Sequence, residues 1–174
     1  MKETKKVALS AMLVALGAVM MSLGAVFEVV DLTVCAVASL LVVLAHIELG
    51  SPYTWLIWLC TSLATALMFF GSPIWSEYLL VFGVYPIIKA YIEKLKRPFW
   101  WPAKIAYINV VVWVLFLLIE GVLCIPVFGA EGLLMKVVLY VVINAAFVVY
   151  DMFITAMVRL YIFKWRKHFS RFFK

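Results

Sequence analysis

The sequence is poor in charge and in cysteine, and each shortage excludes a class of protein. Charged residues make up 14% of its 174 residues, whereas a soluble domain of ordinary composition carries about a quarter. Its hydrophobic share of 68% exceeds what a water-soluble core needs, and a lipid-facing exterior explains the excess. Cys35, Cys60 and Cys124 lie far apart in apolar stretches. Neither a disulfide framework nor a thiolate metal site is therefore indicated.

Signatures of catalysis and of nucleotide binding are also missing from the sequence. It contains no G-x-x-x-x-G-K-[ST] loop, so the chain is not itself an ATPase of that type. It also lacks the G-x-S-x-G and H-E-x-x-H patterns of hydrolytic enzymes. His46 is the one histidine near an apolar span, and a metal site needs more ligands than it offers. We predict no catalytic residue, no metal and no cofactor; an intramembrane enzyme using Asp151 in acid–base catalysis is one alternative.

Long apolar runs fill the chain and predict an all-α polytopic membrane protein, a single domain of six transmembrane helices. Each span needs about 20 apolar residues, so six spans with short turns use the whole chain. Gly50-Ser51-Pro52 and Gly71-Ser72-Pro73 each combine a terminating glycine, an N-cap serine and a proline at the first helical position. Gly83 and Pro86 predict a kink in the fourth helix. The predicted spans cover residues 5–27, 32–47, 53–70, 74–94, 103–125 and 133–163.

Positive charge lies almost entirely on one side of these spans. Fourteen of the fifteen Lys and Arg residues fall near the N-terminus, in or beside the 94–104 loop, or toward the C-terminus, and Lys136 alone lies on the other side. Because short cytoplasmic loops are rich in Lys and Arg, we expect both termini in the cytoplasm. The bases lie where anionic lipid headgroups are found, so the net charge of +6 indicates membrane lipids and no nucleic-acid partner.

Polar residues recur at helical spacing on the fifth and sixth spans. A charged group at membrane depth costs about 2.5–3.5 kcal/mol on insertion scales, so it faces the bundle interior or water. The stripes consist of Asn109, Trp113, Phe116 and Glu120 on the fifth span, and of Lys136, Tyr140, Asn144, Asp151 and Thr155 on the sixth. They predict a polar solute cavity that opens outward between these two spans.

The predicted solute contacts are Glu120, Lys136, Tyr140 and Asn144, with Trp113 as a stacking wall and Glu28, Asp31, Glu77 and Tyr78 at the rim. The alternative is that these polar groups join helices to one another, at about 0.6 kcal/mol for each hydrogen bond. Lys89 and Glu93, four residues apart, predict a modest surface or interfacial ion pair. Lys104 is assigned to the basic 94–104 loop.

Ala11 and Ala15 form a small-x-x-x-small pattern in the first span, which lets another helix approach closely. With this pattern, its size, its six helices and its cytoplasmic termini, the chain resembles an S-component, the substrate-binding membrane subunit of an energy-coupling-factor (ECF) transporter. The resemblance implies uptake of a vitamin or other micronutrient across a bacterial plasma membrane. It also implies that Ala11 and Ala15 dock on a transmembrane coupling subunit and that separate ATPase subunits drive the uptake.

The main alternative is a structural membrane protein of a cell-envelope complex. Small six-span proteins of bacterial cell-shape complexes resemble S-components in architecture and need no solute. Outward-facing polarity distinguishes the two classes, because a scaffold has little reason to keep Glu120 and Lys136 there.

Overall fold

The computed structural model describes residues 3–124 and 133–165, apart from the side chains of Glu28, Leu133, Leu134 and Trp165. No strand occurs in this part of the chain, so the predicted all-α fold is confirmed. Single 3-10 turns lie at Glu28–Val30 and Arg97–Phe99, and π-turns lie at Tyr78–Phe82 and Tyr161–Trp165. The α-helices are α1 (Glu3–Val26), α2 (Asp31–Glu48), α3 (Ser51–Met68), α4 (Ile74–Glu77), α5 (Tyr85–Ile92), α6 (Trp100–Gly121) and α7 (Leu133–Leu160).

Four stretches of the described chain are long and apolar enough to cross a membrane: Glu3–Val26, Asp31–Glu48, Arg97–Gly121 and Met135–Lys164. The helices are therefore those of a membrane protein. The other two predicted spans are not among these four, for separate reasons. The helix α3 carries many threonine, tryptophan and tyrosine side chains, which lower its apolarity. The segment over 74–94 is not one continuous α-helix. Six spans, and the cytoplasmic side for both termini, stay predictions.

Where the sequence predicts one helix over 74–94, the structure has α4, a π-turn and α5. The Gly83 N–H donates to the Tyr78 carbonyl over 2.7 Å, which is the wider hydrogen-bond spacing of a π-turn. A Cβ at Gly83 would lie 2.7 Å from Trp58 Cδ1 and 2.8 Å from the Tyr78 oxygen, so only glycine allows this approach. Pro86 follows in the first turn of α5, where its missing N–H is tolerated. A kink was predicted at Gly83 and Pro86, and the structure has this π-turn between α4 and α5 at the same place.

The first three long helices pack side by side through small residues. A Cβ at Gly17 of α1 would lie 3.0 Å from Thr61 Cγ2 of α3 and 3.7 Å from Leu41 of α2. Gly24, two turns further along α1, is next to Val34 near the start of α2, so α1 and α2 are antiparallel. Close backbone approach through glycine is typical of helix packing in lipid.

The outer surface of the bundle is apolar over much of its area. Leu67 of α3 is 87% exposed and Val149 of α7 is 67% exposed. Large exposed apolar side chains on several faces would be unfavourable in water, whereas lipid tails solvate them. The main buried cluster lies instead where the Tyr78–Phe82 π-turn and Tyr85 pack against α6 and α7.

Candidate functional site

Four ionisable side chains from neighbouring helices meet inside the bundle near the 94–104 connection. We call this set the charge cluster: Lys89 of α5, Glu93 directly after α5, Lys104 of α6 and Asp151 of α7. Lys89, Lys104 and Asp151 are 5%, 4% and 4% exposed, respectively. Buried ionisable groups in a membrane protein are unusual and need partners.

Every member of the charge cluster has an oppositely charged partner. The Asp151 carboxylate accepts hydrogen bonds from Lys104 Nζ, over 2.9 and 3.0 Å, and from Lys89 and the Tyr85 hydroxyl. Glu93 Oε1 lies 3.1 Å from Lys104 Nζ and 3.2 Å from Lys89 Nζ. Two bases and two acids cancel in charge, so the cluster needs no external ion to be stable.

Thr155 completes the hydrogen bonding around Lys89. Lys89 Nζ donates to the Thr155 hydroxyl over 2.8 Å, and this hydroxyl donates to the Asp151 carbonyl over 2.8 Å. The sequence predicted the pairing of Lys89 with Glu93 but placed it at a surface or interface, whereas Lys89 is buried. Lys104, assigned to the basic loop, lies one turn inside α6. One signal in the sequence could have indicated this arrangement. Both lysines lie within a turn or two of a helix end, where a long side chain can extend to an aspartate inside the membrane span.

The second feature is an apolar cavity of about 450 Å³ between the start of α2, the segment from α4 through the π-turn, α6 and α7. Leu32 and Leu139 on its border are 55% and 37% exposed, so the cavity reaches the molecular surface. Its lining includes Val81, Phe82, Ile108, Val112, Leu115, Phe116, Ile119, Ile143, Ala146 and Phe147. Cavities of about 300–1,000 Å³ with mostly apolar walls and few polar groups are typical small-molecule sites.

Among the residues that the structure describes, Glu77 is the one charged residue that lines this cavity. Its Oε2 atom is buried, and no hydrogen-bond partner for it occurs in the part of the chain that the structure describes. The other polar side chain in the lining, Tyr150, has its hydroxyl 3.0 Å from the Phe82 carbonyl and 2.9 Å from the Ser39 hydroxyl. Glu77 thus brings a carboxylate to the cavity wall, and one oxygen of this carboxylate has no hydrogen-bond partner among the described residues.

Of the predicted solute-site residues, the cavity contains Glu77 alone. Tyr78 is buried in the core beside it, and Asp31 begins α2 next to Leu32. Glu28 was also predicted at the rim, but its side chain is outside the described structure. The described lining of this cavity is therefore less polar than the sequence predicted, because Ile143 and Phe147 of α7 line it and Asn144 does not.

Trp113, Glu120 and Tyr140 do lie together, in a smaller groove of about 260 Å³ between α6 and α7. Val112 and Phe116 line both this groove and the cavity, so the two are neighbours. Lys136 is exposed on α7, and the Asn144 amide donates to the Tyr140 carbonyl of its own helix over 3.0 Å. The two predicted stripes thus meet at Trp113, Glu120 and Tyr140 and not at Asn144.

Ala11 and Ala15 are exposed on α1 and line a groove of about 430 Å³ between α1 and α3. Its other walls are Val7, Ser10, Val14, Tyr53, Leu56, Ile57 and Cys60. A long groove with small residues at its base has the shape that accepts a partner helix in lipid.

No group of three or more His, Cys, Asp and Glu side chains that suits a metal ion occurs within residues 3–124 and 133–165. Comparisons of the chain with protein-family models, with curated proteins and with solved structures found no match. The chemistry of the cavity, the charge cluster and the grooves is therefore the basis for assigning a function.

Proposed function

We propose that the chain is a membrane solute-binding subunit that takes a small molecule into the cavity beside Glu77. The observation that carries this proposal is the cavity itself, about 450 Å³ in volume, with Glu77 in its apolar wall and no partner for the Glu77 Oε2 atom among the described residues. A scaffold has no use for a cavity, whose lining forgoes packing contacts, or for a buried oxygen without a described hydrogen-bond partner, which is unfavourable.

The direction of entry follows from the charge pattern. The exposed border residues of the cavity, Leu32 and Leu139, lie toward the starts of α2 and α7, at the end of the bundle away from the basic 94–104 connection, and the lining extends inward along α6 and α7 as far as Ile108 and Tyr150. If basic loops mark the cytoplasmic side, the cavity faces outward. The proposed protein then captures a vitamin or another micronutrient outside a bacterial plasma membrane, as an S-component does.

Uptake in this proposal needs partners, because the chain has no nucleotide-binding loop of its own. The groove at Ala11 and Ala15 would receive a helix of a transmembrane coupling subunit, and separate ATPase subunits would supply the energy. The groove's exposed, small and apolar lining supports this assignment.

Filling the cavity tests the proposal. The purified full chain is screened by thermal shift against vitamins and their precursors, and each hit is repeated with Ala146→Trp. Ala146 lines the cavity whereas its neighbour Ala145 does not, so Ala145→Trp is the matched control. We expect the ligand-induced shift to disappear in Ala146→Trp and to persist in Ala145→Trp. A shift of equal size in both variants would place the solute elsewhere and reject the cavity as the site.

Bulky substitutions test the docking groove separately. Ala11→Trp with Ala15→Trp should prevent co-purification of a coupling subunit and ATPases from native membranes. Ala8→Trp with Val19→Trp serves as the control, because both residues are exposed on α1 and neither lines the groove. Unchanged recovery with the first pair would contradict docking there. Recovery of cell-envelope proteins by a chain that binds no solute would favour the scaffold instead.

A further inference from the structure

The hydrogen-bonding inventory of the cavity wall indicates what kind of molecule it accepts, provided that the cavity is the solute site proposed above. The π-turn frees backbone carbonyls from the regular helical pattern, and polar ligands often bind such groups. In this protein, side chains already donate hydrogen bonds to these carbonyls. Trp58 Nε1 donates to the Leu79 oxygen over 3.1 Å, and the Tyr107 hydroxyl donates to the Leu80 oxygen over 2.9 Å.

The Phe82 carbonyl is taken in the same way, by the Tyr150 hydroxyl. Three neighbouring aromatic side chains thus satisfy carbonyls of the π-turn, and one of them, Tyr150, itself lines the cavity. The charged group in the described lining is the Glu77 carboxylate, and its Oε2 atom has no hydrogen-bond partner among the described residues. The charged contact that the described lining offers a ligand is therefore acidic.

We infer that the cavity takes an organic cation, an apolar body with one protonated amine that pairs with Glu77. An isolated carboxylate in an apolar wall is unfavourable, and a ligand cation supplies the missing partner. Phe82, Phe116 and Phe147 line the same cavity, and aromatic rings attract organic cations. An anionic ligand would meet Glu77, with Asp31 beside the bordering Leu32, and would be repelled.

Three probes with one body and different end groups test the inference. They are 3,3-diphenylpropylamine, 3,3-diphenylpropan-1-ol and 3,3-diphenylpropanoate, titrated calorimetrically into the purified full chain in a non-ionic detergent. We expect the amine to bind at least about tenfold more tightly than the alcohol, since one ion pair in an apolar site contributes this much or more. The carboxylate should not bind measurably.

Variants of Glu77 identify the source of this preference. Glu77→Gln keeps the size of the side chain and removes its charge, so the amine and the alcohol should then bind within about threefold of each other. Glu77→Asp keeps the charge and should retain the amine preference. Glu3→Gln, at a side chain 73% exposed in α1, is the control and should leave all affinities unchanged. An unchanged melting temperature for each variant confirms that it folds.

The outcomes separate this inference from the proposed function. Equal affinity for the three probes, lost in Ala146→Trp, would keep the cavity as the solute site and overturn the amine. An amine preference that survives Glu77→Gln would also overturn it. Binding of all three probes that is unaffected by Ala146→Trp would instead overturn the proposed function. A folded chain that binds none of the probes contradicts the amine, while the vitamin screen still decides the site.

Discussion

Asp151 and Glu77 are both acidic residues inside an apolar bundle, but they differ in the hydrogen-bond and ion-pair partners that surround them. Asp151 is 4% exposed and has Lys89, Lys104 and the Tyr85 hydroxyl around its carboxylate. Glu77 faces a cavity, and its buried oxygen has no partner among the described residues. Asp151 is explained by its ion-pair and hydrogen-bond contacts, whereas Glu77, which lacks a described partner for one oxygen, is the acid on which the proposed binding site rests.

The two acids are also associated with different halves of the interrupted helix over 74–92. Its second half, α5, carries Lys89 into the charge cluster, which ties α5 to α6 and α7. Its first half and the π-turn line the cavity together with the same two helices. The break at Gly83 lies between these halves, so one segment anchors the bundle at one end and lines the proposed binding site toward the other.

Neutralising Asp151 should have the largest effect on stability. Asp151→Asn leaves Lys89 and Lys104 buried with Glu93 as their shared anion, and removing one partner of a buried ion pair costs about 3–5 kcal/mol. The free energy of unfolding, measured by denaturant titration of the purified protein in detergent, checks this. The combination of Lys89→Met, Lys104→Met and Asp151→Leu should recover most of the loss. A loss below about 1 kcal/mol for Asp151→Asn would mean that water reaches the cluster.

Adding a methyl group at Gly83 should have the next largest effect. The new Cβ would overlap Trp58 and the Tyr78 backbone, so Gly83→Ala should cost about 1–3 kcal/mol in unfolding free energy. It should also weaken ligand binding, because Val81 and Phe82 of the same turn line the cavity. Gly121→Ala is the control, since a Cβ there meets nothing within 4 Å. Equal stability of the two variants would contradict the close packing at the π-turn.

Removing the Thr155 hydroxyl should have a smaller effect. Thr155→Val deletes the acceptor for Lys89 but leaves both of its carboxylate partners, so a loss of about 0.6–1.7 kcal/mol is expected. Thr65→Val is the matched control, because the Thr65 hydroxyl donates within its own helix, to the Thr61 carbonyl over 2.9 Å. Thermal unfolding of the two variants side by side should show the larger decrease in melting temperature for Thr155→Val. A larger decrease for Thr65→Val would contradict a stabilising contact between Thr155 and the charge cluster.

Replacing Glu77 should have the smallest effect on stability and the opposite sign. Glu77→Leu removes an acid whose buried oxygen is unpartnered in the described structure, so the unfolding free energy should stay equal or rise by up to about 0.5 kcal/mol. Binding of the amine probe should be lost in the same variant. Destabilisation of the size expected for Asp151→Asn would show that Glu77 is paired and would remove the contrast between the two acids.

The sequence predicted which residues of one helix share a face better than it predicted which residues of different helices contact one another. Spacing by four along α7 placed Asp151 and Thr155 on one face, and the structure brings both to Lys89. Gly83 and Pro86 predicted a kink in the fourth helix, and a π-turn ends there, because glycine and proline act through the local backbone. The partnership of Lys104 with Asp151 was missed, since these residues lie 47 positions apart on different helices. Periodicity along one helix does not predict which residue of another helix a given side chain contacts.

The sequence by itself determined the membrane environment, the helical content and the approximate places of the turns, because apolar length, glycine and proline act over short stretches of chain. It also placed the charged residues toward one end of the bundle or the other. Only the tertiary structure decided which acid is paired and which faces a cavity. Lys89 and Asp151 are 62 positions apart, so their contact depends on how the helices pack, and packing against lipid and neighbours sets helix rotation.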